Sequence, residues 1–276
     1  MGTRNFQQML EQRWEQGRFV CVGLDSYPAQ IPEAARHKEL GETILHFNRA
    51  IVDATADLVC AYKPNSAFYE AYGVESMTAL YETIKYIQKV ASDVPVILDA
   101  KRGDIGNTNE GYVSMAFVTA QADAITVHPY LGQEAVQPFL DQKDKGVLVL
   151  CRTSNKGAGE FQDGEMYGRP LYEYVAFRVA TRWNANGNCG LVVGATYPDE
   201  LKKVREVVGD LPILIPGIGA QGGDVEQTVK AGKDSRGRGM IINSSRGIIF
   251  ASKGNDFAEV ARRKTQELHD LINQYR

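Results

Sequence analysis

Eight short and almost unbroken apolar runs punctuate the chain: FVCVGL (19–24), LVCAYK (58–63), PVILD (95–99), DAITVH (123–128), GVLVLC (146–151), GLVVG (190–194), PILIPG (212–217) and GMIIN (239–243). Continuous rather than alternating hydrophobicity predicts strands of a parallel sheet buried on both faces. The runs recur about every 31 residues, roughly the length of one βα unit. Between them the spacing turns helical. Ile44, Leu45, Phe47, Ile51 and Val52 predict a helix over 41–56, and Met77, Leu80, Tyr81, Ile84, Ile87 and Val90 predict another over 74–90. The segment 197–208 opens Tyr-Pro-Asp-Glu, a helix-start composition. Eight such units without a linker predict one α/β domain over residues 1–276, a (β/α)8 TIM barrel rather than a doubly wound sheet. Phe6, Met9, Leu10 and Trp14 fall at helical spacing in 3–16, which predicts an N-terminal capping helix over the barrel floor. The segment 152–170 has four glycines and few aliphatics. It reads as the longest irregular stretch, with the composition of a lid or of a passive surface insertion.

Composition narrows the function classes. Hydrophobic residues make up 43% of the chain, enough to close a core and to exclude a disordered protein. A net charge of −3 argues against a general nucleic-acid binder. No apolar stretch reaches the roughly 18 residues needed to span a bilayer, and the polar start lacks an export signal's apolar core. Cys21, Cys60, Cys151 and Cys189 lie far apart and lack CxxC spacing. A disulfide framework or zinc site is not expected, and a reducing cytoplasm is.

Barrel chemistry sits at the C-terminal ends of the strands. There the sequence offers Asp25 after the first run, Lys63 after the second, and Asp99-Ala100-Lys101-Arg102-Gly103-Asp104 after the third. His128, Arg152-Thr153-Ser154, Pro216-Gly217-Ile218-Gly219-Ala220-Gln221-Gly222-Gly223 and Ser245-Arg246-Gly247 follow later runs. Asp99 and Lys101, two apart, are expected on one face of an extended segment. Lys63, Asp99, Lys101 and Asp104 are expected to converge, each charge sustaining the next despite burial. The two glycine-rich loops late in the chain, with Arg246, read as an anion site. His128 reads as a packed strand-end residue more than as a base. Asp99 and Asp104 are a conceivable cation pair, but two ammonium groups already supply the positive charge there. No metal is expected.

The run Asp99-Ala-Lys101-Arg-Gly-Asp104-Ile105-Gly-Asn-Thr108 resembles the signature of the orotidine 5′-phosphate decarboxylases, Asp-x-Lys-x-x-Asp followed by Ile/Val-x-x-Thr. The likeness extends to Gly23-Leu24-Asp25, Lys63, the 216–223 loop and Ser245-Arg246-Gly247, and the overall length looks like the longer, type 2-like bacterial branch. Metal-dependent hexulose-phosphate synthases and keto-gulonate-phosphate decarboxylases share the Asp-x-Lys-x-x-Asp element but carry an acidic residue where this chain has Lys63. A metal-dependent sugar-phosphate aldolase or decarboxylase on the same barrel and a catalytically silent, nucleotide-binding barrel are the competing readings.

The resemblance implies conversion of orotidine 5′-phosphate to UMP and carbon dioxide, the last step of de novo pyrimidine nucleotide synthesis, without metal or organic cofactor. It implies a homodimer in which Asp104 and Thr108 enter the partner's site. Lys101 would stabilise the charge at C6 and donate the proton, held by Asp99 and Asp104. Lys63 would join the network and contact the ribose, with Asp25 accepting from a ribose hydroxyl. Ser154, rather than Thr153, is favoured at the pyrimidine edge. Gln221 and Arg246 would grip the phosphate beside the amides of Gly219 and Ser245, and Ile105, Thr108 and Pro216 complete the expected substrate contacts.

Overall fold

The computed structural model describes residues 4–218 and 224–276. Eight parallel strands line up with the eight apolar runs: β1 (Val20–Gly23), β2 (Val59–Lys63), β3 (Ile97–Arg102), β4 (Ala124–Val127), β5 (Gly146–Arg152), β6 (Cys189–Val193), β7 (Ile213–Pro216) and β8 (Met240–Ser244). Each pairs with its sequence neighbour, and β8 pairs back onto β1. Only the β2–β3 seam lacks a regular ladder. It is closed by single bridges, Tyr62 to Val96 and Asn65 to Asp99. The result is a (β/α)8 barrel. Its strands are buried almost without interruption, which is why their sequences do not alternate.

The predicted helices form with small shifts. α1 is Phe6–Glu15, α2 Leu40–Thr55 and α3 Gly73–Val90. On α3 the buried face is Ser76, Ala79, Leu80, Thr83, Ile84 and Ile87. Met77 and Tyr81 flank the core and Val90 is exposed, so the apolar stripe read from the sequence was rotated relative to the true one. After β3 and β4 come α4 (Gly106–Val113) and α5 (Gly132–Leu140). α6 is Leu171–Arg178, α7 Pro198–Val208, α8 Val225–Gly232 and α9 Phe257–Tyr275. Asp224 caps α8 by accepting the Gln227 N–H at 2.8 Å.

α1 closes the floor. Its buried residues include Phe6, Met9, Leu10 and Trp14. The Trp14 indole donates to the Met240 carbonyl at 2.8 Å, and the Arg13 guanidinium donates to the carbonyls of Val59, at the start of β2, and Ala56, at the end of α2. Phe6 lies in the space a side chain at Gly146 would need.

The 152–170 segment is not irregular. It forms a helical turn, Gly159–Gln162, and a hairpin pairing Glu165–Met166 with Arg169–Pro170. Tyr167 and Gly168 both take positive φ at its turn (52° and 75°), as a two-residue type I′ connection needs. Gln162 and Asp163 tether this flap to Arg152 and Thr153 at the end of β5. A chain rich in glycine and poor in aliphatics looked structureless because its order comes from polar tethers and one tight turn.

Candidate active site

The closed seam brings β2 and β3 together at the mouth. The Asp99 N–H donates to the Pro64 carbonyl at 2.9 Å, and the Ser66 N–H donates to the Asp99 carbonyl at 3.2 Å. Lys63 and Asp99 are thereby set side by side. Lys63 Nζ donates to Asp99 Oδ2 at 2.9 Å, and Lys101 Nζ donates to Asp99 Oδ1 at 2.6 Å. Asp25, delivered by β1, lies 3.9 Å from Lys63 Nζ. Its Oδ1 is buried and without a hydrogen-bond partner among the described residues. Lys63 and Asp99 are buried, while the Lys101 side chain is half exposed at the mouth.

Burial alone would raise the Asp99 pKa, but the ammonium groups of Lys63 and Lys101 outweigh it and hold the carboxyl well below its usual range. Burial alone would likewise lower Lys63, and the Asp99 and Asp25 carboxylates reverse that and hold its pKa above the ordinary value. The site is thus an alternating chain of fixed charges, Asp25–Lys63–Asp99–Lys101. Both oxygens of Asp99 are taken by ammonium groups, the place a divalent cation would have to occupy. Among the described residues no group of three or more His, Cys, Asp or Glu is arranged to hold a metal.

Two expectations need revision. Asp99 and Lys101 meet, but not through strand alternation: Lys101 has φ 47°, in the left-handed region, within a break of the β3–β4 ladder. Among the described residues, Asp104 makes no hydrogen bond or ion pair to the chain of charges. After Gly103, whose φ of 150° and close approach to the His128 ring exclude a side chain, the backbone turns outward. Asp104 Oδ1 accepts the Ile105 N–H at 2.7 Å, and Asp104, Ile105 and Thr108 are all exposed. His128 packs against Gly103, and its Nδ1 accepts the Tyr130 N–H at 3.3 Å.

The remaining candidates lie around the same end of the barrel. Thr153 Oγ1 donates to Asn155 at 2.6 Å and accepts from Gln162 at 2.8 Å, so its hydroxyl serves the flap. The backbone of Ser154 lies against Gly194 at the end of β6. Pro216 ends β7 and pairs with Asn243 of β8. Ser245 occupies the space that a Cβ on Gly23 would fill, which joins the ends of β1 and β8. Arg246 follows, exposed, with no ion pair or side-chain hydrogen bond among the described residues. Gly219 and Gln221 lie outside the described residues. Sequence reasoning missed Thr126, which donates to Asp99 Oδ1 at 2.9 Å. A threonine within an apolar strand run carries no signal of its own.

Comparison with known proteins bears on the fold and the sequence. The profile of the orotidine 5′-phosphate decarboxylase / HUMPS family matches residues 18–262. The orotidine 5′-phosphate decarboxylase of Ralstonia pickettii (strain 12J) is 53% identical over 272 residues, covering 98% of this chain and 99% of that one. A solved OMP decarboxylase of Leishmania donovani superposes with a TM-score of 0.83 at 38% identity, covering 97% and 98% of the two chains. UMP synthase of the same organism superposes with a TM-score of 0.88 at 40% identity, covering 99% of this chain and 57% of that one. By fold and sequence, this chain belongs to the orotidine 5′-phosphate decarboxylase family.

Proposed function

We infer that the protein decarboxylates orotidine 5′-phosphate to UMP, a lyase reaction of pyrimidine biosynthesis. The observation that carries the assignment to chemistry is the Lys63–Asp99–Lys101 chain, with contacts of 2.9 and 2.6 Å and its terminal ammonium at the open mouth. When the bond between C6 and the carboxylate breaks, carbon dioxide leaves and the electron pair stays in an in-plane orbital at C6. Water must reorient to stabilise that charge; an ammonium already fixed by Asp99 need not. Lys101 then gives its proton to C6 and is reprotonated from solvent. Asp99, lying beside the substrate carboxylate, disfavours the bound ground state. Lys63 and Asp25, whose Oδ1 accepts no hydrogen bond among the described residues, hold the ribose hydroxyls.

The Arg246 guanidinium, exposed and without an ion pair among the described residues, binds the phosphate with Ser245, Gly219 and Gln221, and Pro216 contacts the substrate. Phosphate contacts remote from C6 lower the barrier by fixing orientation. Ser154 is assigned to the pyrimidine edge by likeness to the family, and the Thr153 hydroxyl is engaged by Asn155 and Gln162.

The working unit is a homodimer. Ile105 and Tyr130 are 58% and 84% exposed, and Val118 and Leu131, on the segments that follow β3 and β4, are exposed too, apolar surface that a second copy would cover. Next to it opens a cavity of about 910 Å³ lined by Tyr130, Phe161, Met166, Tyr172 and Trp183 among others. In that assembly Asp104 and Thr108 act in the partner's site. Among the described residues no helix is long and apolar enough to cross a membrane. The four cysteines are free and buried, which suits a cytoplasmic enzyme.

The direct test follows pyrimidine absorbance after adding orotidine 5′-phosphate in the presence of excess chelator. Conversion to UMP at an undiminished rate is expected. No conversion, or conversion that a chelator stops, refutes the reading.

A further inference from the structure

The break in the β3–β4 ladder falls on the residues that carry the chain of charges. Leu98 pairs with Ile125 and Arg102 with Val127, so Asp99, Ala100 and Lys101 together face Thr126 alone. Such an insertion bends the strand and re-aims its side chains. Lys101 sits there at φ 47°, a conformation that is costly for a non-glycine residue and persists only where its surroundings enforce it.

Thr126 supplies that enforcement. The Lys101 N–H donates to Thr126 Oγ1 at 3.0 Å, and the same hydroxyl donates to Asp99 Oδ1 at 2.9 Å. Lys101 Nζ donates to that same carboxylate oxygen at 2.6 Å. A ring closes, from the Lys101 backbone through the Thr126 hydroxyl and the Asp99 carboxylate to the Lys101 ammonium. A hydroxyl both donates and accepts, so one side chain serves the backbone and the carboxylate together. Valine has the same shape and can do neither. Thr126 is 1% exposed, so no water substitutes for it without repacking.

We propose that Thr126 is a positioning residue for the decarboxylation: its hydroxyl locks the left-handed bulge at Lys101 to the Asp99 carboxylate and so fixes where the Lys101 ammonium points. The inference rests on Lys101 acting as the proton donor. It concerns no contact between Thr126 and substrate, so its loss should act on turnover more than on binding.

The test compares Thr126→Val, Thr126→Ala and Thr126→Ser with the parent enzyme, reading kcat, KM and the melting temperature. Thr126→Val is expected to lower kcat by roughly tenfold or more while KM stays within about threefold. Thr126→Ser, which keeps the hydroxyl and loses the methyl, is expected to stay within about threefold of the parent kcat. If Thr126→Val does not fold, the Ser and Ala variants differ by the hydroxyl alone, and kcat must separate them in the same sense. A folded Val or Ala variant with the kcat of the Ser variant overturns the proposal, as does a loss confined to KM or to the melting temperature. Lys101→Ala is measured alongside. If it retains turnover, the proton-donor reading has failed; if it is inactive and the Thr126 variants are not, only the positioning role has.

Discussion

Lys63 and Lys101 share one carboxylate but stand in different surroundings, and the difference separates catalysis from stability. Lys101 is half exposed, and without it Asp99 keeps Lys63 and Thr126 as partners. Lys101→Ala should therefore abolish turnover with little change in melting temperature. Lys63 is 3% exposed, between Asp99 and Asp25. Lys63→Ala leaves a buried carboxylate short of its partner and should cost about 3–5 kcal/mol of stability as well as activity. The pH dependence follows from the two shifts. Asp99 is depressed, so its contribution is present above the ordinary carboxylate pKa near ~4 and lost as pH falls through the lower folded value. Lys63 is raised, so its contribution is present below the ordinary lysine pKa near ~10.4 and lost as pH rises through the higher folded value. Between about pH 5 and 9 the stability gap between parent and Lys63→Ala should stay flat. Denaturant melts across that window check this, and a gap that closes inside it would contradict the ion chain.

At the scale of elements, the two ends of the barrel should respond oppositely to mutation. At the floor, Phe6 of α1 is buried against the start of β5, far from the chain of charges. Phe6→Ala should cost about 3–5 kcal/mol through the cavity it leaves, with kcat and KM of the folded enzyme unchanged. At the mouth, a Cβ on Gly23 would lie 1.8 Å from Ser245 Oγ and 2.9 Å from Ser245 Cβ. Gly23→Ala must push Ser245 and the adjoining Arg246 aside. It should raise KM for the phosphorylated substrate by roughly tenfold and harm a nucleoside lacking the phosphate much less. Equal loss on both substrates would separate the β1–β8 junction from phosphate binding. The strands and floor helix were legible in the sequence because burial on both faces writes an unbroken apolar run, and Phe6, Met9, Leu10 and Trp14 keep a helical period. The flap was not, since its fold depends on Gln162, Asp163 and a Tyr-Gly turn that carry no hydrophobic pattern. Asp25, Lys63, Asp99 and Lys101 were legible as charges at strand ends. The left-handed turn at Lys101 and the role of Thr126 were not, because a ladder break arises from pairing between strands and leaves no local mark.

For the molecule as a whole, the loop that leaves the site is the feature that asks for a partner. Lys101 turns into the mouth of its own barrel, while Asp104, three residues on, turns outward with Ile105 and Thr108. A motif whose members are so close in sequence yet face apart can act as one unit if two copies exchange this loop. Each site of the dimer would then combine Lys101 of one subunit with Asp104 of the partner subunit. Lys101→Ala and Asp104→Ala homodimers should both be nearly inactive, each lacking one group in both sites. Mixed dimers contain one site with neither group and one site with both. When equal amounts are mixed and allowed to exchange subunits, half of the dimers are mixed and half of their sites are intact, so about a quarter of the parental activity should return. Activity that stays at the level of the separate variants, although exchange is verified with differently tagged subunits, would mean that each barrel supplies its own Asp104. In that case the exposed apolar face around Ile105 and Tyr130 would need another occupant.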